Sequence, residues 1–549
     1  MPPMISRTLA AVAIVLWRVS PAGAAMLPIA QDPVQISVGA VAGTLLPSGV
    51  RAYLGIPYAK SPVGGARWSP PQPLHWNGVW NADRFGPACI QVLRPHDINH
   101  YFGEEPTGED CLYLNIWAPA KAAAGAQLPV IVFIYGGGGT VGSAGLALYQ
   151  GEHVAAKGAV FVTFNYRIGI LGFMAHPELS REQGGHSGNY GYLDQNAALR
   201  WIRDNIAAFG GDPSKVLLAG QSFGATSVAA HLFSPLSKGL FRAGAMWSAC
   251  NFESNEVPLE AAEKVGTDIQ ARLGAASLAA MRALPADRIL ALQEEHQVGA
   301  NVRGVRLPPT IDGLFWARTK QATLESHQVS AVPIMAGSNG DDLDVGRYPL
   351  TGATTLEEFR ARAQKVYGAQ SAEFLRLFPA HDGNVAGAVH EAARQGGFLR
   401  QSQICAVMHR RYDNQPTYIE LFARKPAFDP SAQIADIDTA ATGAYHTADV
   451  PFWFGTLQAF NLMRPTRAWK DSDRVLSDAM TQSLIQFADT GSPATHQVQW
   501  PAWTPERQRY VVFEESIQVE NMRPKAMDWL AEHPAVPKDA PVSGRTTRD

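Results

Sequence analysis

Ser222 sits in the run Gly220-Gln221-Ser222-Phe223-Gly224, a serine with a glycine two residues away on each side. The residues before it, 216–219 (VLLA), read as a buried strand, and a helical pattern opens at Gly224. A serine on so sharp a strand-to-helix turn has its hydroxyl lifted clear of the backbone, and the glycines remove side chains that would forbid the turn. Such a hydroxyl suits nucleophilic attack on a carbonyl, provided a base takes its proton and N–H donors meet the developing oxyanion. A second cluster, Gly136-Gly137-Gly138-Gly139, offers such donors from bare backbone. One donor of this kind is worth about 3 kcal/mol to the transition state.

Strands and helices must hold these turns. Residues 129–135 (PVIVFIY) end just before the glycine cluster, and 159–165 (AVFVTFN) is a second apolar, β-branched run. Residues 196–209 place Leu199, Ile202, Ile206 and Phe209 at helical spacing. Further strands are expected at 333–336 and 417–422. Alternation of this kind predicts an α/β fold: a large, mostly parallel sheet with helices on both faces. The stretches 251–328 and 348–411 are helix-rich and read as insertions capping the sheet, and no composition break separates a second domain. One domain over 25–549 is expected, with a loose polar tail from about residue 534.

The 549 residues carry 46 Lys+Arg against 49 Asp+Glu, a net charge of −3, which argues against a general nucleic-acid binder. With 46% hydrophobic and 17% charged residues the chain is too apolar to be disordered. Residues 1–24 combine Arg7, the apolar run 8–17 and Ala22-Gly23-Ala24, the layout of a cleaved secretory signal peptide. That run is short of the roughly 20 residues that span a bilayer, and no later segment reaches that length. A secreted or periplasmic protein is therefore expected. The four cysteines, Cys89, Cys111, Cys250 and Cys405, all fall after the leader, and an even count suits an oxidising compartment. Cys250 and Cys405 are open between a pair and two buried thiols. No CxxC or histidine cluster suggests a metal site.

Ordered motifs along the chain resemble the type-B carboxylesterase family, the cholinesterase-like branch of the α/β-hydrolases. They run from about Gly39 to Phe513. Among them are Tyr53-Leu54-Gly55-Ile56-Pro57-Tyr58-Ala59, Glu109-Asp110-Cys111-Leu112-Tyr113-Leu114-Asn115 and Gly188-Asn189-Tyr190-Gly191-Tyr192-Leu193-Asp194-Gln195. Phe209-Gly210-Gly211-Asp212-Pro213 and Phe487-Ala488-Asp489-Thr490-Gly491-Ser492-Pro493 follow in order.

The resemblance implies an α/β-hydrolase fold and a Ser222, Asp342, His446 triad, in the chain order that this fold uses. Asp342 ends Gly337-Ser338-Asn339-Gly340-Asp341-Asp342, and His446 lies in Gly443-Ala444-Tyr445-His446-Thr447-Ala448-Asp449. It also implies an oxyanion hole from the N–H groups of Gly137, Gly138 and Phe223, whose register four consecutive glycines leave open by one residue. Gln221, Ser248 and Asp449 become supporting residues, and Cys89–Cys111 a disulfide-bounded loop beside the site. A serine carboxylic ester hydrolase is the implied function, with a small-molecule ester as partner and no cofactor. A specialised xenobiotic or toxin ester is a further option, and a catalytically silent binding protein is the alternative. Such silent members usually lose the nucleophile, which this chain keeps. Oligomeric state is not readable.

Departures from the family pattern cluster near the serine. Gly139 replaces an aromatic residue, which removes a wall. Phe223 replaces a small residue, and Gln221 replaces an acid. Asp342 stands for a glutamate, so Asp341 and Asp344 compete for its role. Tyr101 falls where cholinesterases carry the tryptophan that faces a quaternary ammonium, so with Gln221 neutral, choline esters are not expected. Tyr101, Phe102, His96 and His100 are candidates to line an entrance.

Overall fold

The computed structural model describes residues 27–535 apart from 104–105, 295–296, 299–300 and 303–306. The signal peptide read over 1–24 and nearly all of the tail lie outside the described residues.

Among the described residues, twelve strands form the central sheet. In chain order they are β1 (Leu27–Pro28), β2 (Thr44–Leu45), β3 (Arg51–Pro57), β4 (Tyr113–Ala118), β5 (Leu128–Ile134) and β6 (Val160–Phe164). There follow β7 (Gly211–Gln221), β8 (Ala243–Trp247), β9 (Ile334–Asn339), β10 (Thr417–Phe422), β11 (Arg509–Phe513) and β12 (Ile517–Asn521). Across the sheet the order is β1-β2-β3-β4-β6-β5-β7-β8-β9-β10-β11-β12. From β6 to β11 each neighbouring pair is parallel, and both edges are antiparallel. This is the α/β-hydrolase arrangement. Strands β6, β8, β9 and β10 are buried along their whole length, as expected where helices cover both faces of a parallel sheet.

The helices used below are α1 (Gly169–Phe173), α2 (Tyr190–Asn205), α3 (Phe223–Phe233), α4 (Leu343–Arg347), α5 (Val385–Gly396) and α6 (Phe398–Tyr412). Helix α2 starts at Tyr190, six residues ahead of the apolar periodicity at 196–209. Its first turns are buried all round, including Asp194, which Arg167 pairs at 2.8 Å, so no amphipathic stripe marks them. Residues Ile206–Phe209 form a separate 3₁₀ turn. Strand β7 outruns the 216–219 expectation at both ends and reaches Gln221, the residue before the serine.

The insertion around 350–392 has a small core of its own, with Phe359, Phe374 and Val389 packed against Leu530 of the C-terminal region. Two disulfides tie loops to this frame: Cys89–Cys111, and Cys250–Cys405, which fastens the segment after β8 to α6. No helix among the described residues is long and apolar enough to cross a membrane.

Candidate active site

The candidate residues follow the C-terminal ends of parallel strands, where α/β sheets place their sites. Strand β7 ends at Gln221 and α3 begins at Phe223, leaving Ser222 as the single residue of the turn. Its φ of 56° and ψ of −123° are strained for any residue with a side chain. Two features fix that strain. The Ser222 N–H donates to the Trp247 carbonyl at 2.8 Å, and the helix closes back on the sheet so tightly that a Cβ on Gly224 would lie 2.0 Å from the Ile134 carbonyl oxygen.

Because β5 pairs with β7 in the register Ile134 to Gly220, the glycine cluster emerges beside the serine. A Cβ on Gly136 would stand 2.9 Å from Ser222 Cβ, so only glycine permits the contact. Among the described residues no hydrogen-bond acceptor occupies the N–H of Gly137, Gly138 or Phe223. These donors are free to meet an oxygen.

Asp342 caps the N-terminus of α4 directly after β9 and is buried. Four donors converge on its carboxylate: His446 Nδ1 at 2.5 Å, the Ser248 hydroxyl at 2.6 Å, and the N–H groups of Leu343 and Asn339 at 2.8 and 3.1 Å. Burial pushes its carboxyl up, but His446 and the other donors outweigh that and hold it below the usual carboxylate range. The histidine loop is aligned by the same chain segment. Asp341 and Tyr445 form a parallel β-bridge, and the Asp341 N–H donates to the Ala444 carbonyl at 2.9 Å, which sets Asp342 and His446 side by side.

The competing acids lie elsewhere. Asp341 pairs with His390 of α5 at 2.8 Å, while Asp344 accepts the Phe398 N–H at 2.9 Å. Burial and the charge of Asp342 push Asp344 up to about 6.

His446 is opposed by burial, yet Asp342 and Asp449 hold it above its ordinary value. Its other nitrogen, Nε2, faces the Gln221 amide nitrogen at 3.2 Å, and among the described residues no hydrogen bond joins it to Ser222. With Nδ1–H given to Asp342, Nε2 is the acceptor and the amide the donor. Asp449 accepts from Asn339 Nδ2 at 3.0 Å and Trp453 Nε1 at 3.2 Å, and burial raises it to about 6. Sequence reasoning passed over Glu420, which is fully buried near both acids, and the 2.5 Å contact between His100 and Thr447 that ties the disulfide loop to the histidine loop. Tyr101, Phe102 and His100 do line a cavity there, with Arg94 and Leu146. His96 packs on Tyr101 at 4.7 Å. No group of side chains among the described residues is disposed to hold a metal.

Comparisons with known proteins agree with this architecture. The carboxylesterase family model matches residues 30–529, and the chain belongs to that family. It is a carboxylic ester hydrolase. A para-nitrobenzyl esterase of Bacillus subtilis (strain 168) is 31% identical over 492 residues, covering 88% of this chain and 95% of the relative. A fumonisin B1 esterase of Sphingopyxis macrogoltabida is 36% identical over 385 residues, 67% of this chain and 68% of that one. A solved structure of a PNB esterase superposes with a TM-score of 0.71 at 28% identity, covering 92% of this chain and all of the other.

Proposed function

We propose that the chain is a serine carboxylesterase in which Ser222, His446 and Asp342 act in series. The observation that carries this reading is the 2.5 Å hydrogen bond from His446 to Asp342 beside the strained Ser222 turn. Asp342 keeps the proton on Nδ1, so Nε2 holds the lone pair that a general base needs. When an ester enters, that lone pair passes from the Gln221 N–H to the Ser222 O–H. Ser222 Oγ bonds to the carbonyl carbon, its proton moves to Nε2, and the N–H groups of Gly137, Gly138 and Phe223 receive the oxyanion. The imidazolium returns the proton to the leaving alcohol as the C–O bond breaks. Water then attacks the acyl-serine by the same route and releases the acid.

The substrate is a small or medium carboxylic ester. Matching relatives named for fumonisin B1 and for para-nitrobenzyl esters support a xenobiotic or toxin ester among its targets. Quaternary ammonium alcohols are disfavoured, since Tyr101 is a weaker cation–π partner than tryptophan and Gln221 adds no charge. Two disulfides, and a leader read over residues 1–24, support export to an oxidising compartment.

Turnover of p-nitrophenyl acetate and butyrate by the protein beginning at residue 25, beside its Ser222→Ala variant, tests the reading. Hydrolysis is expected from the first and a loss of at least about a thousandfold in the second. Turnover that survives Ser222→Ala would overturn the assignment, and a folded protein inert to every ester would favour a binding role.

A further inference from the structure

Phe223 does more than supply an N–H. As the first residue of α3 its ring projects back over the glycine cluster, and the fit is tight: a Cβ on Gly139 would lie 2.8 Å from Cζ, 3.0 Å from Cε2 and 3.1 Å from Cε1 of that ring. The shortest of these is closer than real Cβ atoms come and the other two are tighter than most real contacts, and the obstacle is a ring rather than the end of a flexible chain. Gly139 is also at φ +72°, and its carbonyl is pinned by the Gly169 N–H of α1 at 2.6 Å, so the loop cannot retreat.

The ring cannot retreat either. Phe173, at the end of α1, meets it edge-on with centroids 5.6 Å apart and planes at 79°. Tyr192 of α2 lies parallel to it, 6.2 Å away at 15°. Both are buried, while Phe223 is half-buried. Aromatic pairs in these orientations are favourable beyond the area they bury, so the partners hold Phe223 in one place. What results is a rigid apolar plate, backed by two buried rings, whose edge lies on the strand of backbone that presents the oxyanion donors.

We propose that Phe223 is a specificity-determining residue, its ring forming a fixed wall on the acyl side of the site that favours esters of short, unbranched acids, with Gly139 the space that wall requires. This rests on Ser222 being the nucleophile. The two sequence departures at 139 and 223 are then one device: the aromatic wall is carried on the helix rather than on the loop.

Two measurements test this, and they fail separately from the assignment of Ser222. The first is the kcat/KM profile over p-nitrophenyl acetate, butyrate, hexanoate and pivalate. In Phe223→Ala the hexanoate-to-acetate and pivalate-to-acetate ratios should rise at least tenfold, whatever the absolute rates. Unchanged ratios, with turnover intact, would overturn the wall. The second is a thermal-stability cycle of Gly139→Ala and Phe223→Ala, which needs no activity. Backbone strain at φ +72° is common to both backgrounds and cancels, leaving the ring contact. Gly139→Ala should lower Tm by at least twice as much with Phe223 present as with Ala at 223. Equal losses would show that the ring does not fill that space.

Discussion

The amide nitrogen of Gln221 lies 3.2 Å from Nε2 of His446, so a neighbour of Ser222 engages the lone pair of the proposed base. An N–H donor there stabilises the neutral imidazole, whereas a carboxylate would stabilise the imidazolium. Gln221→Glu should therefore raise the pKa governing the acid limb of kcat/KM by about one unit, with the larger rate loss at pH 6 and little change at pH 9. An acid limb that stays put or moves down would show that residue 221 does not face the base.

The wild-type acid limb follows from the same site. Burial disfavours the charged imidazole, but Asp342 and then Asp449 outweigh it and hold His446 above its ordinary value of 6.5. Only the neutral ring accepts the serine proton, so kcat/KM should rise through a pKa above 6.5. Asp449→Asn removes one of the two negative charges and should move that limb down. The stability linkage has the same sign: a raised histidine contributes stability that is fully present below about pH 6.5 and lost as pH rises through the folded value. Asp342, whose carboxyl is lowered, contributes above its unfolded value and loses that share as pH falls through the folded one. A pH–rate profile of the wild type and Asp449→Asn checks the point, and an acid limb unmoved by the substitution would contradict it.

Glu420 is a different kind of acid. It is fully buried on β10, leans over Gly337 so closely that a Cβ there would lie 1.6 Å from Oε1, and neither carboxyl oxygen has a hydrogen-bond partner among the described residues. Burial, with Asp449 and Asp342 adding to it, pushes its carboxyl well above the usual range, so folding favours its neutral form. As pH rises past about 4.3 the unfolded chain ionises this group ahead of the native chain, so the residue costs stability that grows with pH. Replacing an unpartnered buried polar group by an apolar one of similar shape removes a penalty of about 1–3 kcal/mol. Glu420→Leu should raise Tm at pH 8 and do so less at pH 4. A lower Tm at pH 8 would mean that the carboxyl has a partner.

The parts of this site legible in the sequence are those written locally. Gly220, Ser222 and Gly224 specify the turn by what their backbone must do, and the apolar runs at 129–135 and 159–165 predict strands to within a residue or two because burial on both faces leaves a continuous signal. Position in a motif singled out Asp342 and His446, but the choice among Asp341, Asp342 and Asp344 depends on a β-bridge to Tyr445 that no local pattern encodes. The same holds for Cys250 and Cys405, which are 155 residues apart in sequence and meet only through the tertiary fold. Gly139 and Phe223 were each visible as departures, yet their contact comes from the register of β5 against β7, a long-range fact. Glu420 gave no signal, since a single acid in the run TYIELF looks like the exposed side of a strand until helices cover both faces.

Ser222 is proposed to carry the acyl group, and trapping that residue tests this at its source. The protein would be treated with an organophosphonate p-nitrophenyl ester, digested, and the modified peptide located by mass. One equivalent of p-nitrophenol released per chain, with the label on Ser222 and none taken up by Ser222→Ala, is the expected result. A label on another residue, or full ester turnover by protein that takes up no label, would rule out Ser222 as the nucleophile.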